Sequence, residues 1–111
     1  MSSHGNLIHL ENDDQWAELL TKHARIIVDF TATWCGPCKR IGPVFEKLAS
    51  ETKGLTFVKV DVDECQQTAQ KCDVSAMPTF QVFVDGKKVA EMLGGDSGAL
   101  TALVQKWKAA S

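Results

Sequence analysis

Two cysteines separated by two residues, in Trp34-Cys35-Gly36-Pro37-Cys38, are the side chains best suited to chemistry. The thiolate, not the thiol, is the nucleophile. Two thiols at this spacing can attack a disulfide in turn and finish bonded to each other. Upstream, Ile26-Ile27-Val28-Asp29-Phe30 reads as a buried parallel strand. Downstream, Ile41, Val44, Phe45 and Leu48 fall at i, i+3, i+4 and i+7 of a helix. Cys35 therefore sits where a helix begins. The helix dipole favours an anion there by ~0.3–1 kcal/mol, up to ~2 when partly buried. Hydrogen bonds to the charged sulfur add ~1.5–3 kcal/mol. The free N–H groups of the first turn, that of Cys38 among them, are the available donors. Since one pKa unit corresponds to ~1.36 kcal/mol, these effects together are expected to hold Cys35 ionised near neutrality. Pro37 pre-sets helical φ in the first turn and lacks an N–H that would be unpaired there anyway.

The competing chemistry is a zinc site built from Cys35, Cys38, Cys65 and Cys72. The spacing argues against it, because the second pair is C-x₆-C rather than a tight knuckle, and a strand-to-helix junction is the redox setting. Seven residues on a helix rise about 10.5 Å, whereas a disulfide needs Cα atoms within about 7 Å. Cys65 and Cys72 are thus expected as small buried apolar side chains, with a regulatory oxidation as the alternative.

The positioning elements follow from periodicity and punctuation. Asn12 is a candidate cap for a helix with apolar positions Trp16, Leu19 and Leu20, Gln15 completing a box-like start. A strand over about 26–31 leads into the redox helix, and residues 55–60 form another strand. Cys65, Thr68, Ala69 and Cys72 share one face of a short helix. Strands over 79–84 and 88–93 flank Asp85-Gly86, a two-residue hairpin signal. Leu100, Leu103, Val104 and Trp107 mark a last helix. The order βαβαβαββα implies an α/β fold, a central sheet with helices on both faces and one antiparallel hairpin.

At 111 residues and net charge −2, the chain reads as a single domain over 1–111 without a basic footprint for nucleic acid. No apolar run approaches the ~20 residues of a membrane span. Neither GxGxxG nor a Walker pattern is present, so no nucleotide site is expected from Gly94, Gly95 and Gly98. The first residues lack the basic and apolar regions of a signal peptide, and no retention signal ends the chain. A cytoplasmic, monomeric protein is the expectation, in a compartment where free thiols are normal.

With the motif and the element order in hand, the chain resembles the thioredoxin family along essentially its whole length. The shared features are Trp34-Cys35-Gly36-Pro37-Cys38, Asp29 in the preceding strand, Pro43 within the redox helix, Met77-Pro78 before a strand, and Gly94 after the hairpin. The resemblance implies a thioredoxin fold, a mixed five-stranded sheet flanked by four helices in three α/β/α layers. It implies a general protein-disulfide reductase with Cys35 as nucleophile and Cys38 as resolving thiol. It further implies that no cofactor is bound and that electrons come from NADPH through thioredoxin reductase. The disulfide-containing targets implied by the resemblance are peroxiredoxin, ribonucleotide reductase and methionine sulfoxide reductase. A disulfide isomerase or oxidase of the same fold, a glutathione-dependent variant, and a redox-gated protein-binding module are the other readings.

Asp29 interrupts an apolar strand, where burial should raise its pKa; the resemblance makes it the group that accepts and returns the Cys38 proton through water. An exposed strand end is the bland alternative. Lys59 either lies beside Asp29, as the family suggests, or faces solvent, as alternation suggests. The resemblance also implies a cis bond before Pro78, with Ala76, Met77, Pro78, Gly94 and Trp34 forming a docking surface. A partly exposed Trp34 would serve as its flat wall, and strand addition at Met77 would hold an extended segment. Pro43 should kink the redox helix, and Gly42 before it should cost roughly 1 kcal/mol relative to Ala. His4, His9 and His23 are scattered and receive no role.

Overall fold

The computed structural model describes residues 2–4 and 7–109. Its sheet has the strand order β1-β2-β4-β3-β5-β6, with β1 over Ser2–His4, β2 over Leu7–His9, β3 over Arg25–Thr31, β4 over Thr56–Asp61, β5 over Thr79–Val84 and β6 over Lys87–Leu93. The pairs β2–β4 and β3–β4 are parallel, while β3–β5, β5–β6 and β1–β2 are antiparallel. The expected five-stranded mixed sheet is therefore present as β2 to β6. The three-residue β1 adds a sixth strand at its edge. Asp85 and Gly86, at φ 52 and 82, turn β5 into β6 with the paired positive φ values of a two-residue hairpin.

Alternation along β3 and β4 sorts the core onto two faces. Ile27 and Phe57 point to one side, where they meet Ile41, Phe45 and Ala49 of α2 (Gly36–Glu51) and Leu100 and Val104 of α4 (Ser97–Trp107). Ile26, Val28, Phe30, Val58 and Val60 point to the other, against Trp16 and Leu19 of α1 (Trp16–Lys22) and against Cys65 and Cys72 on either side of α3 (Gln66–Lys71). Phe45 is the hub of the first layer, 5.2 Å from the Phe57 ring and 5.7 Å from that of Phe80. A fully buried side chain of this size contributes about 1.5–3 kcal/mol by area alone.

Several local expectations are corrected. Asn12 precedes a 3₁₀ turn over Asp13–Gln15 and its side chain makes no cap bond; Gln15 instead accepts the Glu11 N–H at 3.0 Å. Asp13 reaches across to α3, accepting the Thr68 N–H and hydroxyl at 2.7 Å each. α3 is shorter than the sequence pattern suggests, so Cys65 and Cys72 flank it as its terminal caps rather than lying within it. Both thiols are free and buried in the second layer. At the start of α4, Asp96 is the cap, accepting the Ala99 N–H at 3.0 Å.

Candidate active site

β3 ends at Thr31, and the chain turns through Ala32–Trp34 before α2. Cys35 is the N-cap of α2, with extended backbone at φ −93 and ψ 113. Its carbonyl accepts the first helical hydrogen bond from Lys39 at 3.3 Å. Its sulfur accepts the Cys38 N–H at 3.2 Å. The sulfur thus occupies the place where a Ser or Asp oxygen caps other helices, beside N–H groups that lack helical partners. Cys35 and Cys38 are joined in a disulfide across Cα atoms 5.3 Å apart, and their immediate packing is Ala32 with Val62 and Met77. The Cys35 sulfur also lies 3.7 Å from the Met77 carbonyl oxygen.

Asp29 is only 1% exposed. Its register partner on β4 is Lys59, and alternation puts both on the α2 side of the sheet, with Ile27 and Phe57. Burial pushes the Asp29 carboxyl up to about 7; the Lys59 ammonium pulls it down and Glu46 adds to the rise. Among the described residues its Oδ1 has no hydrogen-bond partner, the condition under which burial raises a carboxyl's pKa. At Lys59 opens a cavity of about 560 Å³ whose lining includes Cys38, Glu46, Lys59 and His9. Lys59 is half-buried, so it lies beside Asp29 and also reaches the cavity. Pro43 lies inside α2, which runs on to Glu51. A Cβ placed on Gly42 would meet nothing within 4 Å.

The start of α2 meets the segment before β5, through Met77, and the turn after β6, through Gly95. The Met77–Pro78 bond is cis. The Pro78 carbonyl accepts the Gly94 N–H at 2.9 Å, joining the β5 entrance to the β6 exit. Gly94 has φ +92 and open space where a Cβ would stand, so the left-handed backbone is what calls for glycine there. Gly95 faces Pro37: a Cβ on it would lie 3.5 Å from the Pro37 carbonyl oxygen. Trp34 is 65% exposed, and its indole N–H donates to Asp63 Oδ2 at 2.9 Å. Nothing in the spacing of Trp34 and Asp63, 29 residues apart, signals that contact. Gly36 and Pro37 form the first turn of α2.

The family model described as Thioredoxin matches residues 7–106. The chain belongs to the thioredoxin family. It is similar to a thioredoxin H-type of Chlamydomonas reinhardtii, with 44% identity over 96% of this chain and 98% of that protein. Among solved structures, Plasmodium falciparum thioredoxin superposes with a TM-score of 0.87 at 36% identity, covering 89% of this chain and 97% of that one. A chain from a structural study of the thiol resolving mechanism in yeast mitochondrial 1-Cys peroxiredoxin via glutathione/thioredoxin systems matches with a TM-score of 0.84 at 35% identity, covering 95% and 99%. The protein is a thiol-disulfide oxidoreductase, a protein-disulfide reductase whose redox-active group is the Cys35–Cys38 pair itself. Like its family it works without a bound cofactor. Among the described residues, no helix is long and apolar enough to cross a membrane.

Proposed function

We propose that Cys35 is the attacking sulfur, Cys38 the resolving one and Asp29 the group that takes the Cys38 proton. The Cys35 thiolate attacks one sulfur of a target disulfide, forming a mixed disulfide and expelling the other target sulfur as a thiolate. Cys38 then loses its proton through water to Asp29 and attacks the Cys35 sulfur, releasing the second target thiolate and leaving the Cys35–Cys38 disulfide. Two electrons pass to the target. The observation that carries this reading is the Cys38 N–H aimed at the Cys35 sulfur at 3.2 Å, since it favours negative charge on Cys35 rather than on Cys38. Replacing Cys38 with Ser should stop the reaction at the mixed disulfide. Mass spectrometry of that variant incubated with oxidised insulin should find insulin chains on Cys35; free Cys35 and unreacted insulin would reverse the order of attack.

The rim of Trp34, Ala76, Met77, Pro78 and Gly94 receives the target as an extended segment. Support comes from the exposed indole and from the Met77 carbonyl beside the reacting sulfur, a backbone acceptor placed for strand addition. The oxidised chain is returned to the dithiol by thioredoxin reductase with NADPH. Peroxiredoxin is the target class that the yeast comparison favours; ribonucleotide reductase and methionine sulfoxide reductase rest on the family resemblance. We place the protein in the cytoplasm as a one-domain monomer, a reducing compartment suiting the two additional free thiols. Fractionation of the source cell tests this against the mitochondrion.

A further inference from the structure

We propose that Asp63 is a positioning residue for protein substrates, acting through Trp34; the inference rests on the reading of Trp34 as the docking wall. An indole has one polar hydrogen. In Trp34 that hydrogen is at the outer end of a side chain exposed to solvent, and it is given to Asp63 Oδ2 at 2.9 Å. Water would serve the same N–H nearly as well, so the bond adds little to folding stability. What it does is remove rotation: a contact at Nε1 fixes both torsions of the side chain, leaving one orientation of the ring.

Asp63 can do this because it is itself held against the redox loop. Asp61 Oδ1 accepts the N–H groups of Asp63 at 2.8 Å and Glu64 at 3.3 Å. The intervening Val62 donates its N–H to the Thr31 carbonyl at 2.9 Å. The Val62 side chain packs against Ala32, Cys35 and Cys38. The loop after β4 is thereby tied to the loop after β3, and the carboxylate is registered to the reacting sulfurs. With Nε1 occupied, Trp34 presents its ring face and not its hydrogen-bond donor to an incoming chain. A large substrate meets an ordered wall and is spared the cost of immobilising it. A small disulfide that reaches the sulfur without touching the wall gains nothing.

The test compares second-order rate constants of the reduced protein with oxidised insulin and with hydroxyethyl disulfide, in single turnover. Asp63 is exposed, so Asp63→Ala should fold with an unchanged unfolding midpoint. We expect Asp63→Ala to lower the insulin-to-hydroxyethyl-disulfide rate ratio by roughly three- to tenfold and to move the indole N–H resonance of Trp34. Asp63→Asn, which keeps an acceptor oxygen, should restore the ratio to within about twofold. The double variant with Trp34→Ala should be no worse than Trp34→Ala alone, as expected when one residue acts through the other. An Asp63→Ala ratio equal to that of the parent overturns the inference, as does an equal loss in Asp63→Ala and Asp63→Asn, which would trace the effect to charge. If Trp34→Ala itself leaves the ratio intact, the docking wall fails first; if Trp34→Ala lowers it and Asp63→Ala does not, only the role of Asp63 fails.

Discussion

Replacing Asp29 with Asn should change how stability depends on pH far more than it changes stability at any one acid pH. In the folded protein the Asp29 carboxyl ionises at about 7 rather than near 3.8, chiefly because burial penalises its charge. Between those two values the folded state holds a proton that the unfolded chain has released. Stability therefore falls as pH rises from about 4 to about 7, and flattens above that window. At about 1.36 kcal/mol per pH unit, the loss amounts to about 4 kcal/mol, a large share of the ~5–15 kcal/mol that holds a domain folded. Asn has no proton to release, so the variant escapes that decline. Whatever offset Asn introduces by packing is the same at every pH. Urea unfolding of both oxidised proteins at pH 4, 6 and 8, extrapolated linearly, should show the variant gaining about 4 kcal/mol on the parent between the extremes. A stability difference that stays constant across that range would show that Asp29 is not a buried, proton-holding group. The same variant should slow breakdown of the mixed disulfide at neutral pH, because Cys38 loses its proton acceptor.

Other outcomes follow from single contacts. Lys59→Met removes the ammonium that opposes the rise at Asp29; the Asp29 titration, followed by carboxyl carbon NMR, should move above 7. Phe45→Ala should cost about 3–5 kcal/mol in urea unfolding, since Phe45 is buried between the rings of Phe57 and Phe80. Gly54→Ala places a methyl group 3.0 Å from Ala109 Cβ at φ +81; the backbone strain alone should cost about 1–2 kcal/mol, read as a lower unfolding midpoint. Asp96→Ala removes the cap of α4 and should cost about 0.5–2 kcal/mol by the same assay.

The chemistry was more legible in the sequence than its supports were. The Cys35-Gly36-Pro37-Cys38 run declares its own helix start, because proline and the spacing of Ile41, Val44, Phe45 and Leu48 are local signals. The Asp85-Gly86 hairpin is local in the same way. Lys59 could not be settled, since alternation says which side of a strand a residue takes but not what lies there; only the β3–β4 register sets it against Asp29. The edge strand β1 escaped because a three-residue strand leaves no periodicity to detect. The Asn12 cap failed because Gln15 bonds one residue earlier than a capping box requires. Asp63 lay beyond reach for a different reason: its partner is 29 residues away, and an acidic turn after a strand reads as solvated loop.

The most direct test of the account is the pH dependence of Cys35 alkylation in the reduced protein. Cys38→Ser removes the second active-site thiol, and burial pushes the Cys65 and Cys72 thiols up to about 11, which leaves Cys35 as the group that iodoacetamide reports near neutrality in that variant. Stabilisation by the first turn of α2 predicts a rate midpoint at least about one pH unit below the ~8.5 of a free thiol. A midpoint at 8.5 or above would contradict the claim that the helix start makes this sulfur a thiolate.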